Sequence, residues 1–189
     1  MVLAVPPPPR PALHLACALP KGDRQQVLLD MATQLGMTQF TPLHCERSVV
    51  KPGANSPARW KKICLEACKQ SRRLHLPAME SLATVKNVTA RAVAGGARVW
   101  IAHPAEDARA LIDAVSLTPG DVTVLVGPEG GFTPEEVNQA IAQGAGFISL
   151  GKPILRIETA AVALLSAFAS VPARAPVNPR VGSPPIDRD

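Results

Sequence analysis

The chain has 189 residues, 47% of them apolar, which is enough to bury a core of one-domain size and excludes wholesale disorder. Aromatic residues make up 3% and tyrosine is absent, which argues against recognition by base stacking on an RRM sheet or an OB groove. The net charge of +5 is unevenly placed, with fourteen Lys/Arg against five Asp/Glu in residues 1–100 and six against ten in residues 101–189, so the first half suits an anionic macromolecular partner unless it is simply a solvated basic face.

At the N-terminus, MVLAVPPPPRP lacks a basic leader and its prolines cut a short apolar stretch, so it does not read as a signal peptide. Residues 1–12 are expected to be a flexible Pro-rich lead, and the proline cluster after Pro172 a disordered tail over 172–189. ALHLACA (12–18) reads as a short buried strand. Residues 22–35 place Leu28, Met31, Ala32 and Leu35 at helical spacing, and Gly36 ends that helix. TQFTPL is a brief strand and RSVVKPGANSP a loop. From Ser56, a cap before Pro57, a helix is expected to run to about Arg73 with an apolar stripe of Trp60, Ile63, Cys64, Ala67 and Cys68.

The second half repeats the rhythm. RVWIAH (98–103) is a strand, AEDARALIDAV (105–115) a helix, and DVTVLVG (121–127) a buried strand followed by the turn PEGG. Thr133-Pro134-Glu135-Glu136 is a helix start with cap, proline and first-turn carboxylates. GFISLG (146–151) is a strand, KPILRIE a loop, and TAAVALLSAFASV a helix apolar nearly all round, to be buried in the core or against another subunit. Alternating strands and helices predict an α/β fold with a mainly parallel sheet.

The four cysteines form no dense framework, and with no export signal they read as reduced thiols of a cytoplasmic protein. No apolar run reaches the ~18 residues of a membrane span. Cys64 and Cys68 lie on the apolar stripe, so small buried residues are preferred to a zinc site, and no metal is expected. The stretch from Arg47 to Arg73 opposes eight cations to Glu66 alone. Arg47, Arg59, Lys62, Lys69, Arg72 and Arg73 are read as a phosphate-contacting surface.

Ligands of open α/β sheets bind at the carboxyl ends of strands, and three ends stand out: IAHP, LVGPEGGFTPEE and LGKPILRIETA. Glu129 in the second is either a dipole-favoured cap or a neighbour of a cationic ligand. Arg156 in the third is either a buried partner of Glu158 or an exposed cation facing a substrate. LVGPEGGFTPEEV followed by LGKPILRIETAAVALLSA resembles the signature of the RsmE family, 16S rRNA (uracil-N3)-methyltransferases of the SPOUT superfamily. LPKGDRQQVLLDMATQLGMTQFTPLHCERSVV and ARWKKICLEACKQSRRLHLPAM extend the resemblance upstream, the latter through its Gln70-Ser71-x-Arg73 element, which adds Gln70 to the RNA-binding set.

The resemblance implies a SPOUT methyltransferase domain over 13–171, with a parallel sheet, a C-terminal trefoil knot and a homodimer with sites at the subunit interface. It implies S-adenosylmethionine as cofactor, held by Ala102 and His103, by Gly127, Pro128, Glu129, Gly130 and Gly131, and by Leu150, Gly151, Ile154, Leu155 and Thr159. Arg156 would stabilise the uracil anion, and Glu158 would either orient Arg156 or accept the N3 proton. The partner implied is small-subunit 16S rRNA. Three departures accompany it: the family's N-terminal PUA-like barrel is largely missing, Pro153 stands where the family has Arg, with Lys152 before it, and Gln34 replaces a usual Glu. The rival readings are a non-catalytic knotted RNA-binding or ribosome-assembly factor, and a SPOUT methyltransferase acting on another RNA site.

Overall fold

The computed structural model describes residues 9–170; the expectations for the first eight residues and for the tail lie outside them. In chain order the elements are β1 (Leu13–Cys17), α1 (Arg24–Gln34), β2 (Gln39–His44), α2 (Ser56–Gln70), β3 (Ala78–Met79), β4 (Ala83–Thr84) and α3 (Val85–Ala94). They continue with β5 (Arg98–Ala102), β6 (Arg109–Ala110), α4 (Leu111–Ser116), β7 (Val122–Val126), α5 (Pro134–Ala142), β8 (Gly146–Ser149) and α6 (Ile157–Ala169). The strands form one parallel sheet in the order β3-β2-β1-β7-β5-β8-β6, and β4 adds to β2 beyond β3.

Side-chain alternation along the strands assigns the two faces. Leu13, Leu15, Cys17, Val122, Val124 and Val126 join Leu28, Leu29, Trp60, Ala114 and Leu164 under α1, α2, α4 and α6. Ala16, Leu125, Val99 and Ile101 point the other way, to Val85, Val88, Val137 and Ala140 of α3 and α5. All five residues of β7 are buried, as a central strand covered on both faces requires. Burying a Leu, Val or Ile side chain contributes roughly 1.5–3 kcal/mol, so the central strands dominate stability. β8 seats closely: a Cβ at Gly146 would lie 2.6 Å from Cζ3 of Trp100, whose indole N–H donates to Thr118 at 2.9 Å.

Three expectations are corrected by the structure. The helix expected over 105–115 begins only at Leu111, because Arg109 and Ala110 are extended to pair with Ile148 and Ser149 at the sheet edge. Helix α3 was not anticipated. Its valines and threonine are weak helix formers, but Thr84 caps Asn87 N–H, and Val85, Val88 and Thr89 are buried as one face. Helix α2 stops at Gln70 rather than Arg73. Arg72 takes the left-handed conformation (φ 58°), and Arg73 N–H closes on Cys68 O at 2.9 Å, a Schellman-type end.

Helix α6 packs on α1, α4, β1 and β7 of its own chain, burying Ile157, Ala160, Ala161, Leu164, Leu165 and Phe168. Its apolar character is therefore satisfied internally and carries no argument for a second subunit. The preceding strand, β8, lies two places away from β7, so residues 150–156 run back across the strand ends to reach it. At the other terminus, Arg10 pairs with Asp121, whose Oδ1 accepts Ala12 N–H at 2.7 Å, tying the end of the expected flexible lead to the start of β7.

Candidate active site

Because β7, β5 and β8 are neighbours and parallel, the loops leaving their carboxyl ends converge. These are residues 127–133, 103–108 and 150–156, and they include every cofactor position read from the sequence except Ala102, which ends β5, and Thr159, on the exposed side of the first turn of α6. In the first loop Gly131 N–H donates to Pro128 O at 2.8 Å, and Gly131 has φ 71°, a conformation that favours glycine. A Cβ at Gly127 would lie 3.0 Å from the ring of Phe132, so backbone, not side chain, forms that wall. Thr133 and Glu136 make the expected helix start as a full capping box. The spare Oε1 of Glu136 accepts Glu46 N–H at 3.0 Å.

In the third loop Gly151 N–H donates to Ser149 Oγ at 3.2 Å, Leu150 and Leu155 rest on the core, and Ile154 is 98% exposed. His103 stacks 5.4 Å from Phe147 and its buried Nδ1 has no partner among the described residues. A buried polar atom left alone costs about 1–3 kcal/mol.

Arg156 and Glu158 are not paired with each other among the described residues. Arg156 is the residue before α6, is exposed, and makes no ion pair among the described residues. Glu158 sits in the first turn, 13% exposed. Its Oε1 lies 3.8 Å from Arg24 Nη1, and its buried Oε2 has no partner among the described residues. Arg24 in turn donates to Glu129 Oε1 at 3.0 Å. Glu129 is thus an ion-pair member of the turn rather than a helix cap. Arg24 escaped the sequence reading, since a lone arginine opening a helix carries no motif.

The expected RNA-binding residues separate into groups. Arg47 reaches across to the turn, donating to Gly130 O at 2.8 Å, so it braces the loop as well as facing solvent. With Lys21, Val49, Val50 and Pro128 it lines a cleft beside that loop. Arg59 and Lys62 are exposed in the first half of α2, and Arg59 lies 4.0 Å from Asp23, next to the site. Lys69 and Gln70 are exposed about 15 Å further along α2 from Arg59, at 1.5 Å per residue, toward the amino ends of the strands, and Arg72 is exposed just past the helix end. Arg73 is corrected: its guanidinium donates to the carbonyls of Thr33, Gly36 and Met37, closing the C-terminal end of α1. Burial pushes its pKa down from the ordinary arginine value.

The cysteines are buried and free. Burial raises the thiols of Cys17, Cys64 and Cys68, and that of Cys45 to about 12, so none is a ready nucleophile. No three His, Cys, Asp or Glu side chains gather as metal ligands among the described residues. No described helix is long and apolar enough to cross a membrane.

Comparison with known proteins accords with this geometry. A family model for an RNA methyltransferase domain matches residues 7–169. "Ribosomal RNA small subunit methyltransferase E" of Synechocystis is 37% identical over 155 residues, 80% of this chain and 51% of that protein. The Mycobacterium tuberculosis protein of the same name is 31% identical over 175 residues, 89% and 66% of the two chains. The chain therefore spans about half to two thirds of these relatives' length. Among solved structures, a methyltransferase from Legionella pneumophila in complex with its cofactor SAM is 33% identical with TM-score 0.75, covering 84% of this chain and 66% of that one. The ribosomal RNA small subunit methyltransferase E from Neisseria gonorrhoeae, bound to S-adenosyl methionine, is 30% identical with TM-score 0.73, covering 83% and 65%. The resemblance read from GPEGG and ILRIETA is borne out, and the chain belongs to the RNA methyltransferase domain family.

Proposed function

We propose that this chain transfers a methyl group from S-adenosylmethionine to N3 of a uridine in small-subunit 16S rRNA. The observation that carries the reading is the convergence of three loops at the ends of β7, β5 and β8, with His103 Nδ1 and, in the first turn of α6, Glu158 Oε2 both buried and without a partner among the described residues. The residues present fit the cofactor. Gly127, where a Cβ would crowd the Phe132 ring at 3.0 Å, and the turn to Gly131 offer backbone groups to an adenosine, and Glu129 and Glu158 place negative charge near a cation. When bound, the cofactor supplies a methyl already activated on a sulfonium.

The chain's own residues have to orient the base and handle one proton. Uridine N3 is a poor nucleophile until its proton leaves. Glu158 Oε2, buried and without a partner among the described residues, is the proposed acceptor. The exposed Arg156 guanidinium, one residue before α6, offers donors to the uracil carbonyls as negative charge develops. Docking of RNA is assigned to Arg59 and Lys62 on the site's side of α2, with Lys69, Gln70 and Arg72 as a distal contact and Arg47 shared with the turn. The trefoil knot, a homodimer joined near the exposed Ile154, and a cytoplasmic location complete the proposal.

The test is direct. Calorimetry with S-adenosylmethionine in the presence of a chelator should show binding, and mass spectrometry of nucleosides from incubated small-subunit rRNA should show N3-methyluridine. Absence of heat and thermal shift at millimolar cofactor would falsify the reading.

A further inference from the structure

We propose that Arg24 is a positioning residue for Glu158, acting through an ion-pair relay anchored on Glu129; the proposal rests on the methyl-transfer reading above. Three segments far apart in sequence meet at this guanidinium: the start of α1, the turn after β7 and the first turn of α6. Nη1 is 3.0 Å from Glu129 Oε1 and 3.8 Å from Glu158 Oε1. The side chains of Arg24, Glu158 and Glu129 are 29%, 13% and 54% exposed, so solvent screens the contact to Glu158 less than the one to Glu129.

The terminal torsion of a glutamate is broad, and a carboxylate without partners samples many orientations. Here Glu129 fixes the guanidinium, and the guanidinium draws one oxygen of Glu158 toward itself. The other oxygen, Oε2, is left buried and without a partner among the described residues. Both contacts run from the same Nη1, so one guanidinium nitrogen is shared between the two carboxylates. With two carboxylates against it, Arg24 is also a poor candidate for a phosphate contact, unlike Arg59 nearby. Its role is to set which oxygen of Glu158 is free and where it points.

The experiment uses the full chain as wild type, Arg24→Ala, Glu158→Gln and the double variant, with Arg24→Lys as the conservative control. At saturating S-adenosylmethionine and small-subunit rRNA, Arg24→Ala should lower the single-turnover methyl-transfer rate roughly tenfold or more, while cofactor Kd and the salt slope of RNA binding stay within about twofold. Arg24→Lys should recover part of the rate. In the Glu158→Gln background the Arg24 change should cost nothing further. Additive rate losses, or a loss confined to RNA affinity and its salt slope, overturn the proposal. Thermal melts of the same four chains give a readout independent of activity. The Tm drop from Arg24→Ala should be smaller by about 2–4 °C when Glu158 is already Gln; equal drops overturn the coupling. A wild-type chain that transfers no methyl to any RNA sinks the functional reading, and the melts then still decide whether Arg24 and Glu158 are coupled.

Discussion

The two ends of the sheet carry similar side chains and treat them differently. At the amino ends, His14 bonds Thr123 through Nδ1 at 3.1 Å and Thr41 through Nε2 at 2.9 Å, Asp121 is taken by Arg10 and Ala12, and Arg73 is taken by three carbonyls. At the carboxyl ends, Arg156 stands without an ion pair and His103 and Glu158 each keep a buried atom without a partner among the described residues. A cleft of about 220 Å³ opens at the amino end, lined by His14, Gln39, Arg91 and Asp121, against about 30 Å³ beside the turn at the carboxyl end. Volume points to the amino ends, whereas unpaired buried atoms occur at both, Thr33 Oγ1 and Gln143 Oε1 lying at the helix ends that lead into β2 and β8. What sets the carboxyl ends apart is that their two atoms belong to a histidine and a glutamate on the converging loops and the first turn of α6.

The largest effect expected from this contrast is at Arg156. Arg156→Ala should lower methyl transfer about a hundredfold or more with cofactor binding nearly intact, as removal of one contact to a developing anion does. Unfolding or loss of cofactor binding would instead make Arg156 a structural residue like those at the amino end.

His14 offers the converse test. Burial, with Arg91 nearby, lowers its pKa from 6.5 to about 4, so the folded chain favours the neutral ring. The stability this contributes is present above pH 6.5 and is lost as the pH falls from there through 4, on the order of 2 kcal/mol for a ring still partly open to solvent screening. Urea unfolding at pH 7 and pH 4 should show the loss, and His14→Gln should flatten that part of the profile. An unchanged profile in the variant would remove His14 as its source.

Arg73→Ala should cost about 1–3 kcal/mol of stability by orphaning the carbonyls at the end of α1, with no change in the salt slope of RNA binding. Arg72→Ala should reduce that slope by about one contact and leave stability alone. A reduced slope in both would restore Arg73 to the docking surface. The smallest effect is at the same turn: Arg72→Gly, relieving a left-handed arginine, should raise stability by about 0.5–1 kcal/mol in thermal melts.

Much of this was legible in the sequence for physical reasons. The strands around β7 are continuous apolar runs, the α2 stripe repeats at helical period, and Thr133 to Glu136 is a local cap that needs no tertiary help. Local signals failed where a long-range partner decides. Arg109 and Ala110 are extended only because β8 lies beside them. Arg73 looked like its basic neighbours until the chain reversal at Arg72 turned it onto α1. Arg24 became visible only when two carboxylates more than a hundred residues downstream were brought against it.

Glu136 binds two parts of the molecule into one kinetic unit. One oxygen closes the first turn of α5 and the other holds the backbone of Glu46, in the segment whose Arg47 lies over Gly130. The amides of Glu46 and Thr133 should then exchange with deuterium at a common rate, since both donate to the same carboxylate. Glu136→Ala would split that unit, and a length change in the 46–53 segment would register as fraying at the start of a helix 80 residues away.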